Sequence, residues 1–502
     1  MPRSAFSPYA GRPVSDGPAR AAGAPGRPLH WAEQLAFPVL LLLLGLCLLG
    51  GGASRADVTS LIYLRPAAIL CVAALLLLPG RRDYAPVRVP LILLGALAAL
   101  MVIQLIPLPP EIWTALPGRE RYLEAYAAIG IPQPWRPISL TPDLTLNSLA
   151  TLIFAAAGLI GFASISSEQR VLLLPVLIGV AFVSAMIGVA QVSSDAGSAL
   201  FLYNVTHEGS SVGFFSNRNH QAALLAMSFP MLQVWTLLPH PDKAYRRTRR
   251  WIAIGVGLLL IPLLLITGSR AGVGLGVVGL LAMFFLAPRQ GRGVPHGKWR
   301  VGRTLLFVLG PIAAAGVVVL LGRAVAFERL ASREYLAQEA RFEAAPQVWQ
   351  MVTDFFPVGT GFGAFDRVYR GYEADKALDF SYLNHAHNDL AELVIDGGLA
   401  ALLLFVLFLL WWGRQALRAV RTRRLDPRVI YARLAVVLTL ILFLASLVDY
   451  PLRTPLMGLI FAIVCGWLGQ LSSESSALAV EPGANGEKAA VDQEVALVHG
   501  RS

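Results

Sequence analysis

The sequence predicts an all-α protein that crosses a membrane about twelve times and carries one large loop outside the cytoplasm. Three observations predict it. The 502 residues are 56% hydrophobic and only 15% charged, against about 25% charged in an ordinary soluble chain. The apolar residues fall in blocks of the roughly 17–25 residues that a helix needs to cross a bilayer. Lys and Arg gather in alternate connections between those blocks, as the positive-inside rule requires. The net charge of +11 therefore reads as a topology signal, and no nucleic-acid partner is expected. Cys47, Cys71 and Cys465 all lie in apolar runs without paired spacing. They read as small buried hydrophobes, not as a disulfide framework or a zinc site.

Residues 1–30 are rich in Pro, Gly, Ala and Arg and lack apolar periodicity, which predicts a disordered, basic cytoplasmic tail. Residues 31–471 form the transmembrane helical domain. Its first run, Leu35–Gly51, has no convincing signal-peptidase site after it and reads as an uncleaved span. Further spans are expected at Leu61–Leu78, Val89–Leu108, Leu146–Phe162, Val171–Val192, Gln221–Leu238 and Trp251–Thr267. The remainder fall at Gly272–Leu286, Thr304–Leu321, Leu390–Trp412, Ala432–Val448 and Leu456–Leu471. Residues 472–502, rich in Ser, Glu, Ala and Gly, predict a second disordered cytoplasmic tail.

The first and fifth connections are poor in cations: Ala53–Ser60 holds only Arg55, and Ser193–Asn217 holds none. The even ones carry Arg81 and Arg82, then Lys243 with Arg246, Arg247, Arg249 and Arg250, and later Arg414, Arg418 and Arg421. Both termini are thus expected in the cytoplasm. Ala163–Arg170, with a single Arg, is placed by parity alone. The long loop 323–388 then lies outside, together with Ser193–Arg218 and the turns Gly268–Ala271 and Asp449–Thr454. A loop of that length between spans is usually functional. Its Pro357-Val-Gly-Thr-Gly-Phe-Gly363 run lacks the strand–helix context of a dinucleotide fingerprint and reads as a tight turn.

The loop ends in Tyr382-Leu-Asn-His-Ala-His-Asn-Asp-Leu390, where polar residues meet an apolar run. Imidazole is the side chain suited to moving protons near neutral pH, which makes His385 and His387 candidates, with Asn388 and Asp389 beside them. The plainer reading is a solvated helix start with Asn or Asp as N-cap. His385, His387 and Asp389, joined by His207 and Glu208, would also be the ligand set for a metal, although a catalytic zinc needs about three firm ligands in fixed geometry. Three arginines, Arg218, Arg270 and Arg453, stand on the side where the positive-inside rule disfavours them. Each could snorkel or pair with an acid, as Arg453 could with Asp449. Together they suit a phosphorylated substrate, because guanidinium recognises phosphate in bidentate fashion.

Five short segments carry a family resemblance. They are Phe215-Ser-Asn-Arg-Asn-His220, Thr267-Gly-Ser-Arg-Ala-Gly272, Pro357–Phe365, His385-Ala-His-Asn-Asp-Leu390 and Asp449-Tyr-Pro-Leu-Arg453. Their order and common membrane face resemble the superfamily of O-antigen ligases and of O-antigen and exopolysaccharide polymerases, over residues 149–468. The resemblance implies a bacterial inner-membrane glycosyltransferase with a large periplasmic loop. Its donor would be a glycan on undecaprenyl diphosphate, and its acceptor lipid A-core, a growing polysaccharide or a protein. His387-Asn388 with Gly398 matches the ligase pattern around the catalytic histidine, while Ala401 stands where ligases often carry Gly, Thr or Tyr. The Asp449-Tyr-Pro-Leu-Arg453 turn looks more like the exopolysaccharide polymerases.

The resemblance implies His387 as catalytic base and Arg218 and Arg270 as diphosphate ligands, with His385, Asn388, Asp389 and Arg453 in support. It implies an inverting displacement that uses no metal and no cofactor. The alternative is a transporter or flippase of lipid-linked oligosaccharides, which would place polar groups near the membrane midplane and show internal repeats. A scaffold of a cell-envelope complex would not require His387.

Overall fold

A computed structural model describes residues 34–195, 197–286, 344–373, 383–422 and 426–472. The two tails, the span expected at Thr304–Leu321, Tyr382 and most of the 323–388 loop lie outside the described residues. Every other expected span falls on a helix.

The helices are α1 (Ala36–Gly50), α2 (Leu61–Leu77), α3 (Arg88–Gln104), α4 (Pro110–Thr114), α5 (Glu120–Ala128), α6 (Pro142–Ser164) and α7 (Ser167–Val192). After them come α8 (Arg218–Leu237), α9 (Lys243–Ile266), α10 (Arg270–Leu286), α11 (Phe365–Tyr369), α12 (Asp389–Arg421), α13 (Pro427–Ser446) and α14 (Pro455–Gly469). Among the described residues the only strands are the two-residue β1 (Pro107–Leu108) and β2 (Arg136–Pro137), paired antiparallel. Five helices, α6, α7, α9, α12 and α13, are long and apolar enough to cross a membrane, and α1, α2, α3, α10 and α14 are apolar but shorter. The chain is an all-α membrane protein.

Helix ends follow local chemistry. Ser166 and Gln169 form a reciprocal capping box at the start of α7. Thr454 caps α14, with Pro455 in the first turn, where a missing N–H costs nothing. The core has two parts that share α13. In one, α14 packs against α1, α6 and α13; in the other, α8 is ringed by α7, α9, α10 and α13. This is why α8 is buried without a break from His220 to Leu232. Ala163–Arg170 also finds its place: Arg170 is buried, ion-paired to Asp83 at 3.0 Å, and its carbonyl accepts from Trp467 Nε1 at 3.2 Å. That arginine is a packing element, and the exposed charge of the connection is Glu168.

α12 is the helix that positions the site, and it is broken. Gly398 has φ 59° and ψ −148°, outside helical geometry. The break orphans backbone groups, and the glycine turn 357–363 satisfies them. The Thr360 and Gly361 N–H groups donate to the carbonyls of Ile395 and Asp396 at 2.8 and 2.9 Å, and the Leu399 N–H donates to the Pro357 carbonyl at 2.8 Å. Gln104 Nε2 adds a bond to the Asp396 carbonyl at 2.9 Å. A Cβ at Gly398 would stand 2.0 Å from the Pro357 oxygen, so only glycine fits there. Arg119, fully buried between the Trp113 and Phe355 rings, fastens the turn from outside by donating to the Gly359 carbonyl at 3.3 Å.

Candidate active site

Four segments meet at one end of the bundle: the residues entering α12, the turn after α13, the start of α8 and the turn into α10. Pro451 ends any continuation of α13 and opens a 3-10 turn over Pro451–Arg453. That turn aims Asp449 at α8 and Arg453 at α12. Asp449 and Arg453 are therefore not partners, and the pairing expected of them gives way to two separate clusters.

The first cluster surrounds Asp449, whose side chain is 2% exposed. Asn217 Nδ2 donates to both carboxylate oxygens at 3.2 Å, Asn219 Nδ2 donates to Oδ2, and the Tyr450 N–H donates to Oδ1 at 2.9 Å. Two imidazoles flank the same oxygen: His220 Nε2 at 3.5 Å and His387 Nδ1 at 3.6 Å. Burial alone would raise the Asp449 carboxyl, but the imidazoles of His220 and His387 beside it hold it well below its ordinary 3.8. It is a carboxylate at neutral pH.

The second cluster surrounds Arg453. Its Nε lies 3.1 Å from Asp389 Oδ1, and its Nη1 lies 3.0 Å from Glu392 Oε1 and 3.6 Å from Asp396 Oδ2. The three acids recur at helical spacing along one face of the short half of α12. Asp396 Oδ2 also accepts the Gly363 N–H at 3.2 Å, which joins this cluster to the glycine turn. His385 Nδ1 sits 2.8 Å from Glu392 Oε1. The Tyr450 ring separates the clusters, with centroids 4.3, 5.0 and 5.2 Å from those of His385, His387 and His220.

Of the expected site residues, His387 stands in the first cluster. Its φ is 49°, the only positive value at a non-glycine residue among those described. That conformation is uncommon for an L-residue and concentrates at functional sites. Asn388 is the N-cap of α12, accepting the Leu390 and Ala391 N–H groups at 3.0 Å, as the plainer reading had it. His385, Asp389 and Arg453 belong to the second cluster. Arg218 opens α8 between Asn217 and Asn219. Its guanidinium approaches within 3.5 Å of where a Cβ of Gly268 would stand. The turn bearing Arg270 therefore adjoins it, and α10 closes on α8 so tightly that a Cβ at Gly272 would meet that of Ala222 at 2.3 Å. The two histidines of His385-Ala-His387 face different carboxylates. Ala401 packs with Met101 and Phe362 in an apolar cluster, so its identity bears on packing and not on the imidazoles.

The residues not foreseen are Asp449 as partner of His387, together with His220, Asn217, Asn219, Tyr450, Glu392 and Asp396. A signal existed for two of them: Asp389, Glu392 and Asp396 repeat on one face of an otherwise apolar run, where acids are costly without partners.

Beside the second cluster a cavity of 870 Å³ enters the bundle. Leu97, Met101, Phe405, Phe408 and Phe443 line its apolar part, while Arg55, Arg367 and His385 are among its polar residues.

Fold and site define the class: a helical membrane protein with a buried imidazole–carboxylate centre at one end of its bundle. Residues 254–406 match the family model of the O-antigen ligases, and the likeness to the superfamily of O-antigen ligases and polymerases is shown over that stretch. The matched stretch holds Arg270 and His385 to Gly398, whereas Arg218, Asp449 and Arg453 lie outside it. In general terms, that family joins polysaccharide from a lipid-linked donor to an acceptor. Among curated proteins none matches the chain.

Proposed function

We propose that the protein transfers a glycan, or a repeat unit, from a polyprenyl diphosphate carrier to an acceptor hydroxyl at the periplasmic face of the inner membrane. The observation that carries this reading is His387, an imidazole on a left-handed backbone beside the buried carboxylate of Asp449, which the side chains of Asn217 and Asn219, flanking Arg218, also hold. Asp449 lies on the Nδ1 side of the ring, and Nε2 takes the acceptor proton. The deprotonated oxygen attacks the anomeric carbon of the donor, and the bond from that carbon to the diphosphate oxygen breaks. The configuration inverts. The leaving diphosphate carries the charge away, and Arg218 and Arg270 bind it. Asp449 stabilises the imidazolium that forms and holds the tautomer, as a carboxylate does in a hydrolase triad. The apolar walls of the cavity beside the second cluster suit the hydrocarbon chain of such a carrier.

The test is the surface-glycan profile of a strain lacking this gene, rescued with the wild type or with His387→Ala at equal membrane abundance. Loss of attached glycan with long carrier-linked polymer retained means ligation. Retention of single repeat units only means polymerisation. A normal profile with His387→Ala would overturn the assignment of the base and favour a transporter of lipid-linked glycans.

A further inference from the structure

We propose that Glu392 is a positioning residue for His387: it clamps the two residues that precede His387 and ties them, through Arg453, to the turn that carries Asp449. The inference rests on His387 as the base.

Both oxygens of Glu392 are engaged on consecutive residues of the turn. Oε1 lies 2.8 Å from His385 Nδ1, and Oε2 accepts the Ala386 N–H at 2.8 Å. The side chain is 1% exposed, and a carboxylate buried in an apolar bundle is costly unless it is paired and hydrogen-bonded. Arg453 supplies that pairing from the other side, 3.0 Å from Oε1.

The next residue, His387, holds φ 49°. A left-handed L-residue is strained and persists only where its surroundings over-determine it. Here they do. Ahead of His387 the Ala386 N–H is held by Glu392; behind it the Leu390 and Ala391 N–H groups are held by Asn388. The side chain of Glu392 is thus one of two clamps that set where the imidazole points.

The clamp also sets the distance to the partner carboxylate. Asp449 and Arg453 belong to one short turn, pinned at Tyr450 by the packed histidine rings. Because Arg453 grips Glu392, the element that places His387 and the element that places Asp449 are joined by an ion pair. The 3.6 Å approach of the two groups is a product of that joint. Glu392 itself contacts His385 and not His387, so it carries no proton of the reaction.

The test uses the full chain in lipid nanodiscs. The donor probe is the polyprenyl-diphosphate-linked glycan extracted from the parent strain, and the acceptor is the membrane extract of that strain. Glu392→Gln, His385→Ala, the double variant and His387→Ala are compared with the wild type. A misplacement of about 1 Å can cost 10²-fold, so Glu392→Gln should lower kcat about 10- to 100-fold. KM for the donor should stay within about twofold, because the diphosphate ligands are untouched. The pH–rate profile should keep its shape, and the melting temperature should stay near that of the wild type. The double variant should be no worse than Glu392→Gln alone, since both changes open one clamp. Should Glu392→Gln not fold, His385→Ala opens one arm of the same clamp and is read for a kcat loss of about tenfold.

Wild-type kcat in folded Glu392→Gln, or additive losses in the double variant, would overturn the proposal. A changed pH profile would do so as well, by making Glu392 a party to proton transfer. If His387→Ala is inactive while Glu392→Gln is normal, only the clamp fails. If His387→Ala is active, the proposed base fails and the clamp with it.

Discussion

His385 and His387 stand two residues apart, and each faces a buried carboxylate, yet the two pairs are built differently. His385 meets Glu392 at 2.8 Å, in a carboxylate already shared with a backbone N–H and with Arg453. His387 meets Asp449 at 3.6 Å, and its own backbone is left-handed. The first pair is closed on itself by opposite charges. The second has an acid saturated by donors from α8 and an imidazole that approaches it without closing. A tight, charge-compensated pair resists change, whereas a looser pair with a strained backbone can accept a proton and tighten as it does so. Apo geometry at catalytic hydrogen bonds is often long for this reason.

The largest effect should separate the two histidines directly. His387→Ala should lower glycan transfer about 10²- to 10⁴-fold, the range of a lost general base. His385→Ala should lower it only about tenfold, through displacement of its neighbour. Equal losses in a transfer assay at matched membrane abundance would erase the distinction between the pairs.

Asp449→Asn tests the second pair from its acid side. The amide keeps the shape but offers no charge to the imidazolium, and its NH₂ faces donors that it cannot accept from. The expected loss of kcat is about 10²-fold or more, by analogy with the effect of such a change in a hydrolase triad. KM for the donor should change little.

The same carboxylate predicts a pH effect on stability. Its folded pKa lies well below 3.8, so its contribution to stability is present above the unfolded value and is lost as pH falls through the folded one. The gap in melting temperature between the wild type and Asp449→Asn should therefore be constant at neutral pH and narrow only below about pH 4. A gap that narrows already near pH 6 would point to an imidazole as the titrating group.

The smallest effect on chemistry, and the clearest on folding, belongs to Gly398→Ala. Its φ of 59° and the 2.0 Å approach to the Pro357 oxygen leave no room for a Cβ. The backbone strain alone is about 1–3 kcal/mol. The amount of folded protein in the membrane should fall, and the protein that does fold should retain most of its kcat. A large kcat loss in folded Gly398→Ala would show that the break in α12 sets the first cluster as well as the second.

Much of this was legible in the sequence. Block lengths and the alternation of Arg-rich connections placed the helices, because bilayer thickness and the cost of unpaired backbone in lipid act on any chain in the same way. The motifs also placed His387 and Arg218 at one end of the bundle. The expected pairing of Asp449 with Arg453 did not survive, because a proline turn sends residues four apart in opposite directions. Asn388 proved to be a cap, a role that its place before Asp389 already allowed.

What the sequence by itself determined is local or periodic: an all-α membrane chain, where its helices run, and which short motifs bear histidine and arginine. What only the tertiary structure decided is partnership. Asp449 reaches His387 across 62 positions of chain numbering, and the glycine turn near residue 360 closes the break in α12. Such contacts depend on how helices are rotated and packed against one another. A hydropathy pattern fixes the face that a helix buries but not the neighbour that it meets there.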